Sequence, residues 1–117
     1  MGMNANAGQI EANLRVMHYA VDTSIPELTY FSKGKIDFYF VRETVGHLHF
    51  VFNPDLLGRI LRSQPKCRDI RISKNNRMNY PNYFAEDGAR TSCGVGVTFS
   101  NDKWADCKIM LKSMETA

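Results

Sequence analysis

The sequence predicts an α+β fold. An antiparallel sheet of about five to six strands, which includes two hairpins, is expected to pack against two helices. Two stretches alternate apolar and polar residues, which is typical of half-buried strands. Two others repeat apolar residues at helical spacing. In chain order the segments are a helix, three strands, a helix, a strand, a loop and two strands, and this order favours a largely antiparallel sheet.

Length and composition indicate one ordinary globular domain. At 117 residues the chain can bury a modest core, and we expect a single domain over residues 1–117 with a loose tail at residues 1–7. No apolar run is long enough for a transmembrane helix, and the N-terminus lacks the pattern of a secretory signal. A cytoplasmic location with reduced cysteines is therefore expected.

The first helix is predicted at residues 9–21. Its apolar stripe is formed by Ile10, Leu14, Met17 and Val21. Pro26 is expected to end it, because proline disfavours helical backbone in the preceding residue. His18 lies beside the stripe, and we interpret it as either a structural residue or a functional imidazole.

The clearest pattern is a hairpin at residues 35–53, preceded by a short strand at residues 28–31. A three-residue loop that ends in Gly46 sets Phe40 opposite Phe50 and Phe38 opposite Phe52. These four phenylalanines then share one buried face. The second face of the hairpin carries Tyr39, Val41, Glu43, His47, His49 and Val51.

A second helix should begin at Asn53, which is a good N-cap, with Pro54 and Asp55 in its first turn. Its predicted buried stripe is Leu56, Leu57, Ile60 and Leu61. A short strand is expected at residues 68–73, followed by a long loop at residues 78–91.

Residues 93–111 are predicted to form the second hairpin, with a loop at residues 100–102. The alternating residues of its two arms are Cys93, Val95, Val97 and Phe99, then Ala105, Cys107, Ile109 and Leu111. This register sets Val97 opposite Ala105. If Cys93 and Cys107 lie on paired strands, a disulfide between them is an open alternative to reduced thiols.

A basic segment is the first candidate for function. It contains Arg59, Arg62, Lys66, Arg68, Arg71, Lys74 and Arg77, opposed by Asp69 alone. Tyr80, Tyr83 and Phe84 follow it. Basic groups neutralise phosphates and aromatic rings stack on unpaired bases, so the pattern favours nucleic-acid binding. A solvated helix face followed by a polar loop explains the same residues.

The second candidate is a set of His47, His49 and Glu43 on one strand face. Two imidazoles and a carboxylate are able to hold a metal or run acid–base chemistry. An exposed cross-strand His–Glu pair accounts for the spacing equally well.

We therefore expect a small non-enzymatic binding protein that contacts nucleic acid through residues 59–77 and 80–84. A protein-binding inhibitor or adaptor is the alternative, and a small metal-dependent or acid–base enzyme is the third interpretation. No cofactor and no catalytic residue are predicted. The expected partners are nucleic acid or an acidic protein surface, without a membrane, and a homodimer through a strand edge stays open.

Overall fold

A single antiparallel sheet organises the chain. The computed structural model describes residues 6–42, 46–63, 69–72 and 94–116, with only the backbone described for 69–72. The elements in these residues are α1 (Ala7–Val16), β1 (Ala20–Ile25), β2 (Leu28–Lys33), β3 (Ile36–Val41), β4 (His47–Phe52), a 3-10 helix (Pro54–Leu56), α2 (Leu57–Arg62), β5 (Asp69–Ile72), β6 (Val95–Ser100) and α3 (Trp104–Thr116). The described strands form one sheet in the order β1-β2-β3-β4-β6-β5, and every neighbouring pair is antiparallel. The predicted α+β class and strand number are confirmed.

The β3–β4 hairpin has the predicted register. Phe38 pairs with Phe52 and Phe40 pairs with Phe50. Gly46, which ends the connection, has a φ of 86°, in the left-handed region that glycine adopts without a steric penalty. Residues 43–45 lie outside the described part of the chain.

The main core lies between the helices and one face of the sheet. Buried residues of α1, α2 and α3 join alternate residues of the strands in one apolar cluster. Phe38 is at its centre, where its ring contacts four other aromatic rings at centroid distances of 4.9–5.7 Å. Those rings belong to Tyr19, Phe31, Phe50 and Phe52. The second face of the sheet has a smaller buried cluster of Leu28, Val41 and Val51, against which Tyr39 packs.

The first helix differs from its prediction at both ends. Asn6 caps it, because its side chain accepts from the backbone N–H of Gln9 at 2.9 Å and its own N–H donates to the Gln9 side chain at 3.1 Å. Residues 6 and 7 therefore belong to the helix start and not to a loose tail. The helix ends at Val16, and the predicted continuation to residue 21 is wrong.

His18 explains the early end of α1. It has a φ of 75°, and its backbone N–H donates to the Arg15 carbonyl at 2.9 Å. The next N–H, that of Tyr19, donates to the Leu14 carbonyl at 2.9 Å. These two bonds form a Schellman motif, in which the left-handed residue is usually glycine. The chain then enters β1, whose first residues fall within the range predicted for the helix.

The predicted second hairpin is wrong in its second arm. Residues Trp104–Thr116 form α3, so the described chain has three α-helices where two are predicted. The buried residues of α3 are Cys107, Met110, Leu111 and Met114, and this spacing is helical. Val97 pairs with Phe50 and Ile70 instead of Ala105. Cys107 is buried on this helix and not on a strand, which removes the paired-strand basis of the alternative disulfide with Cys93.

The second helical segment begins as predicted. The Asn53 side chain accepts from the Asp55 N–H at 3.0 Å, and Pro54 opens the 3-10 turn that leads into α2. Its buried stripe is narrower than predicted, because Leu56 and Ile60 are buried whereas Leu61 is 52% exposed. The strand predicted at residues 68–73 is present as β5.

A polar cluster joins α1 to the sheet. The hydroxyl of the fully buried Thr29 donates to Glu11 Oε2 at 2.7 Å, and Arg42 Nε lies 3.2 Å from the same oxygen. These contacts satisfy a carboxylate that packing has largely removed from water. Separately, none of the helices in the described residues combines the length and apolar character needed to cross a membrane.

Candidate functional site

The basic segment is only partly within the described residues. Arg59 is half-buried, and its Nη1 donates to the Met114 carbonyl in the last turn of α3 at 2.9 Å. Arg62 is exposed at the end of α2. The backbone of Arg71 pairs with Gly96 in the sheet. The predicted members outside the described residues are Lys66, Arg68, Lys74, Arg77, Tyr80, Tyr83 and Phe84.

The two strand histidines do lie on one face. His47 pairs with Ser100 and His49 with Thr98, and the two imidazole centroids are 6.3 Å apart. Glu43, the third predicted member, is outside the described residues. Within the described part of the chain, no three His, Cys, Asp or Glu side chains are grouped so as to hold a metal ion. Of the predicted metal or acid–base set, the described residues therefore include the two imidazoles but not the Glu43 carboxylate.

A groove of about 500 Å³ opens where the β2–β3 turn meets the start of the second helical segment. This volume is within the range typical of sites for small molecules. Its lining residues are Tyr30, Ser32, Gly34, Lys35, Asp37, Asn53, Asp55, Leu56 and Arg59. Most of these side chains are polar or charged, which indicates a polar ligand.

Strand register and a helix cap bring these residues together. Ser32 and Asp37 are partners across β2 and β3, and Tyr30 lies further along the same face. The backbone N–H of Asn53 donates to the Asp37 carbonyl at 3.4 Å, which holds the start of the 3-10 turn beside β3. Arg59 follows on α2. The groove is thus assembled from segments that are separated by up to 29 positions in the chain.

A hydrogen-bonded set lies within the groove. The Tyr30 hydroxyl donates to Asp37 Oδ2 at 3.0 Å. The Asn53 amide Nδ2 donates to Asp37 Oδ1 at 3.4 Å. Both contacts are half-buried, and together they orient the Asp37 carboxylate through each of its oxygens.

Tyr30 stays protonated well above neutral pH. Burial, followed by the charge of Asp37 and the hydrogen bond to it, raises the pKa of Tyr30 to about 12. Its ring also packs on Tyr39, with centroids 4.7 Å apart. The pKa of Tyr39 is raised by burial and by the charges of Asp22 and Asp37. Tyr30 is therefore a fixed hydrogen-bond donor and an aromatic surface at physiological pH.

Two cations border this set. Lys35 is exposed in the β2–β3 turn, and Arg59 reaches the groove from α2. Among the described residues, the ion pairs are Lys33 with Glu115 and Arg42 with Glu11. Neither Lys35 nor Arg59 is a member of these ion pairs. A guanidinium has five N–H donors, and the contact with Met114 uses only part of that capacity. Because the carboxylates of Asp37 and Asp55 also line the groove, it is formally neutral, and an anionic group is received at Lys35 and Arg59 in particular.

Comparison with known proteins adds no relative. No family model matches the chain, and neither the curated proteins nor the solved structures include a match. Function is therefore inferred from the groove itself.

The predicted site shares one residue with the groove, Arg59. Tyr30, Lys35 and Asp37 are not among the residues predicted to be functional, and Asn53 is predicted only as a helix cap. The sequence feature that could have indicated the groove is Asp37, a carboxylate inside an aromatic strand. The strand register places it beside the helix cap at Asn53. A charged residue in such a strand is unusual enough to mark a site for examination.

Proposed function

We propose that this chain is a small non-enzymatic binding protein for single-stranded nucleic acid, and that the groove containing Tyr30, Lys35, Asp37, Asn53 and Arg59 receives a nucleotide. The observation that carries the proposal is the combination in one groove of two cations outside any described ion pair with an aromatic ring and an oriented carboxylate–amide pair. The cations are suited to bind the phosphate of a nucleotide, and the aromatic ring and the carboxylate–amide pair are suited to bind its base.

The cations correspond to phosphate. Binding to the nucleic-acid backbone is driven by Lys and Arg side chains that displace condensed counterions. Lys35 is exposed and acts as a point charge on a flexible stem, whereas Arg59 is held by Met114 and offers its remaining donors in a fixed plane.

The aromatic and polar groups correspond to a base. Unpaired bases stack on aromatic side chains and form hydrogen bonds along their Watson–Crick edges, which are hidden in a duplex. Tyr30 supplies the ring, and Asp37 with Asn53 supplies hydrogen-bonding groups. A single strand is therefore a better ligand for this groove than a double helix.

The test is the binding of a short fluorescent single-stranded oligonucleotide of mixed sequence, measured by anisotropy over a series of salt concentrations. We expect affinity to fall with salt. Lys35→Gln should weaken binding and reduce the slope of log K against log salt by about 0.7, because the variant neutralises one phosphate fewer. Lys103→Gln is the matched control, because Lys103 is exposed and does not line the groove.

Equal binding by the two glutamine variants would show that the groove is not the binding site, and no binding of any oligonucleotide at low salt would overturn the function. A polyglutamate chain serves as the competitor. If it binds as tightly as the oligonucleotide and is weakened by the same substitution, an acidic protein surface becomes the preferred ligand.

A further inference from the structure

Asp37 offers unused acceptor capacity in the groove. A carboxylate has about four lone-pair positions. Among the described contacts, Oδ2 accepts one hydrogen bond from Tyr30 at 3.0 Å, and Oδ1 accepts a long one from Asn53 at 3.4 Å. Each oxygen thus retains room for one more donor, and the two existing bonds fix the plane in which those donors must lie.

The neighbouring amide has less acceptor capacity to offer. Asn53 Oδ1 already accepts the Asp55 N–H at 3.0 Å, and its Nδ2 donates to Asp37. Two carboxylates line the groove, Asp37 and Asp55. Asp37 is the one whose two oxygens are both oriented by described hydrogen bonds, so it is the acceptor with a defined plane. A ligand that brings two adjacent N–H donors satisfies both oxygens at once.

The bases differ in this respect. The Watson–Crick edge of guanine carries two adjacent donors, N1–H and the N2 amino group. Adenine and cytosine each present one amino group beside a ring-nitrogen acceptor, which a carboxylate repels. Uracil and thymine present one N–H between two carbonyl oxygens. Of the common bases, guanine alone fits a carboxylate through two parallel hydrogen bonds.

We propose that the groove selects guanine, with the Asp37 carboxylate accepting from N1–H and N2–H while the base packs against Tyr30. This inference rests on the proposed function, since it names the base that the same groove prefers. Lys35 and Arg59 remain available for the phosphate.

The experiment is calorimetric titration of the full chain with the monophosphates of guanosine, inosine, adenosine, cytidine and uridine. Inosine keeps N1–H but lacks the N2 amino group. We expect guanosine monophosphate to bind about tenfold or more tighter than the adenosine, cytidine and uridine nucleotides, with inosine between them. This ranking uses the wild-type chain and does not depend on any variant folding.

Asp37→Asn supplies the second arm. The amide keeps the size of the carboxylate and an oxygen for Tyr30, but it replaces one acceptor by a donor, so the guanosine preference should disappear. Asp22→Asn is the matched control, since Asp22 pairs with Tyr30 in the sheet but does not line the groove, and an asparagine there still accepts from Ser24.

The outcomes are distinguishable. If the oligonucleotide of mixed sequence binds and depends on Lys35, but all five nucleotides bind equally, guanine selection is overturned and the proposed function stands. A preference for guanosine monophosphate that survives in the Asp37→Asn variant also overturns guanine selection by Asp37. If neither oligonucleotide nor nucleotide binds, the proposed function fails and this inference fails with it.

Discussion

His18 shows how one residue sets the end of a helix. Its φ of 75° lies in the left-handed region, which costs an L-residue other than glycine roughly 1–2 kcal/mol. The Schellman hydrogen bonds that surround it hold the backbone there despite that cost. The geometry therefore accounts for His18 as a helix-ending residue, and its exposed imidazole is not required for that role.

Replacing His18 by glycine should stabilise the protein. Relief of the left-handed strain is partly offset by the greater freedom of glycine in the unfolded chain, so we expect a net gain in the free energy of unfolding of about 0.5–1 kcal/mol. Urea denaturation measures the change. His18→Ala is the control, because it removes the imidazole but keeps the strained Cβ. Equal stabilities of the glycine and alanine variants would contradict the assignment of strain to this residue.

Tyr30 makes folding sensitive to alkaline pH. In the folded chain its pKa is about 12, whereas an unfolded tyrosine titrates near 10. Below pH 10 both states are protonated. As pH rises from about 10 toward about 12, the unfolded state releases a proton that the folded state retains, so the free energy of unfolding falls.

Tyr30→Phe should flatten part of this alkaline decline. Urea denaturation of both proteins at about pH 8 and about pH 11 gives the loss in the free energy of unfolding between these pH values. This loss is then compared between the wild type and the variant. Tyr19 and Tyr39 also have raised pKa values, so a smaller decline must persist in the variant. An unchanged decline in Tyr30→Phe would show that its hydroxyl is not held as described.

At the level of elements, β1 is one of the two edge strands of the described sheet, and it is largely exposed. Five of its six residues are exposed, and its pairing with β2 is irregular between Asp22 and Ile25. There the Asp22 carboxylate accepts the Ser24 N–H at 2.8 Å, and this bond lowers the pKa of Asp22. An edge strand normally exposes such N–H groups to pairing with another chain, and irregularities protect it.

Asp22→Ala should therefore increase self-association. The substitution frees the Ser24 N–H and removes a charge from the edge, and light scattering at increasing protein concentration reports the result. Asp22→Asn is the control, because its amide oxygen still accepts from Ser24. If the alanine and asparagine variants associate to the same extent, the hydrogen bond to the backbone is not what protects the edge. Homodimerisation of the unmodified chain remains a prediction.

The elements also show why the sequence predicts one hairpin correctly and fails on the other. The β3–β4 phenylalanines alternate over both arms, and Gly46 supplies the left-handed turn residue, so every local preference agrees. In α3, Cys107 and Leu111 belong both to the alternating set of the predicted strand and to the buried helical stripe, so these two residues fit both patterns. Ile109 is 63% exposed, which an inward-facing strand residue would not be. The length of the segment, 13 residues, is the signal for a helix.

At the scale of the whole molecule, the strand residues of the core and those of the groove lie on opposite faces of the sheet, while Leu56 belongs to both core and groove. The phenylalanine cluster faces the helices, whereas Tyr30, Ser32 and Asp37 alternate with it and face the opposite way. Substitution of the exposed Lys35 should consequently change stability by no more than about 0.5 kcal/mol. Weaker binding by Lys35→Gln is then attributable to the groove and not to unfolding.

The groove is not predictable as a unit from the sequence. Its residues come from β2, β3, the cap after β4 and α2, and no short motif links them. Their proximity depends on the pairing of Ser32 with Asp37 and on the bond between Asn53 and the Asp37 carbonyl. The basic segment is visible because its charges are close together in the chain, but that closeness does not reveal that Arg59 also binds the end of α3.

The most direct test of nucleic-acid binding at this groove is a backbone amide NMR titration with a short single-stranded oligonucleotide of mixed sequence. We predict that the largest shift changes occur at Tyr30, Asp37 and Asn53, that they saturate together, and that they weaken as salt is added. The amides of α1, on the covered face of the sheet, should shift little. Shift changes that leave these three amides unaffected, or no changes at all, would contradict the claim that this groove binds nucleic acid.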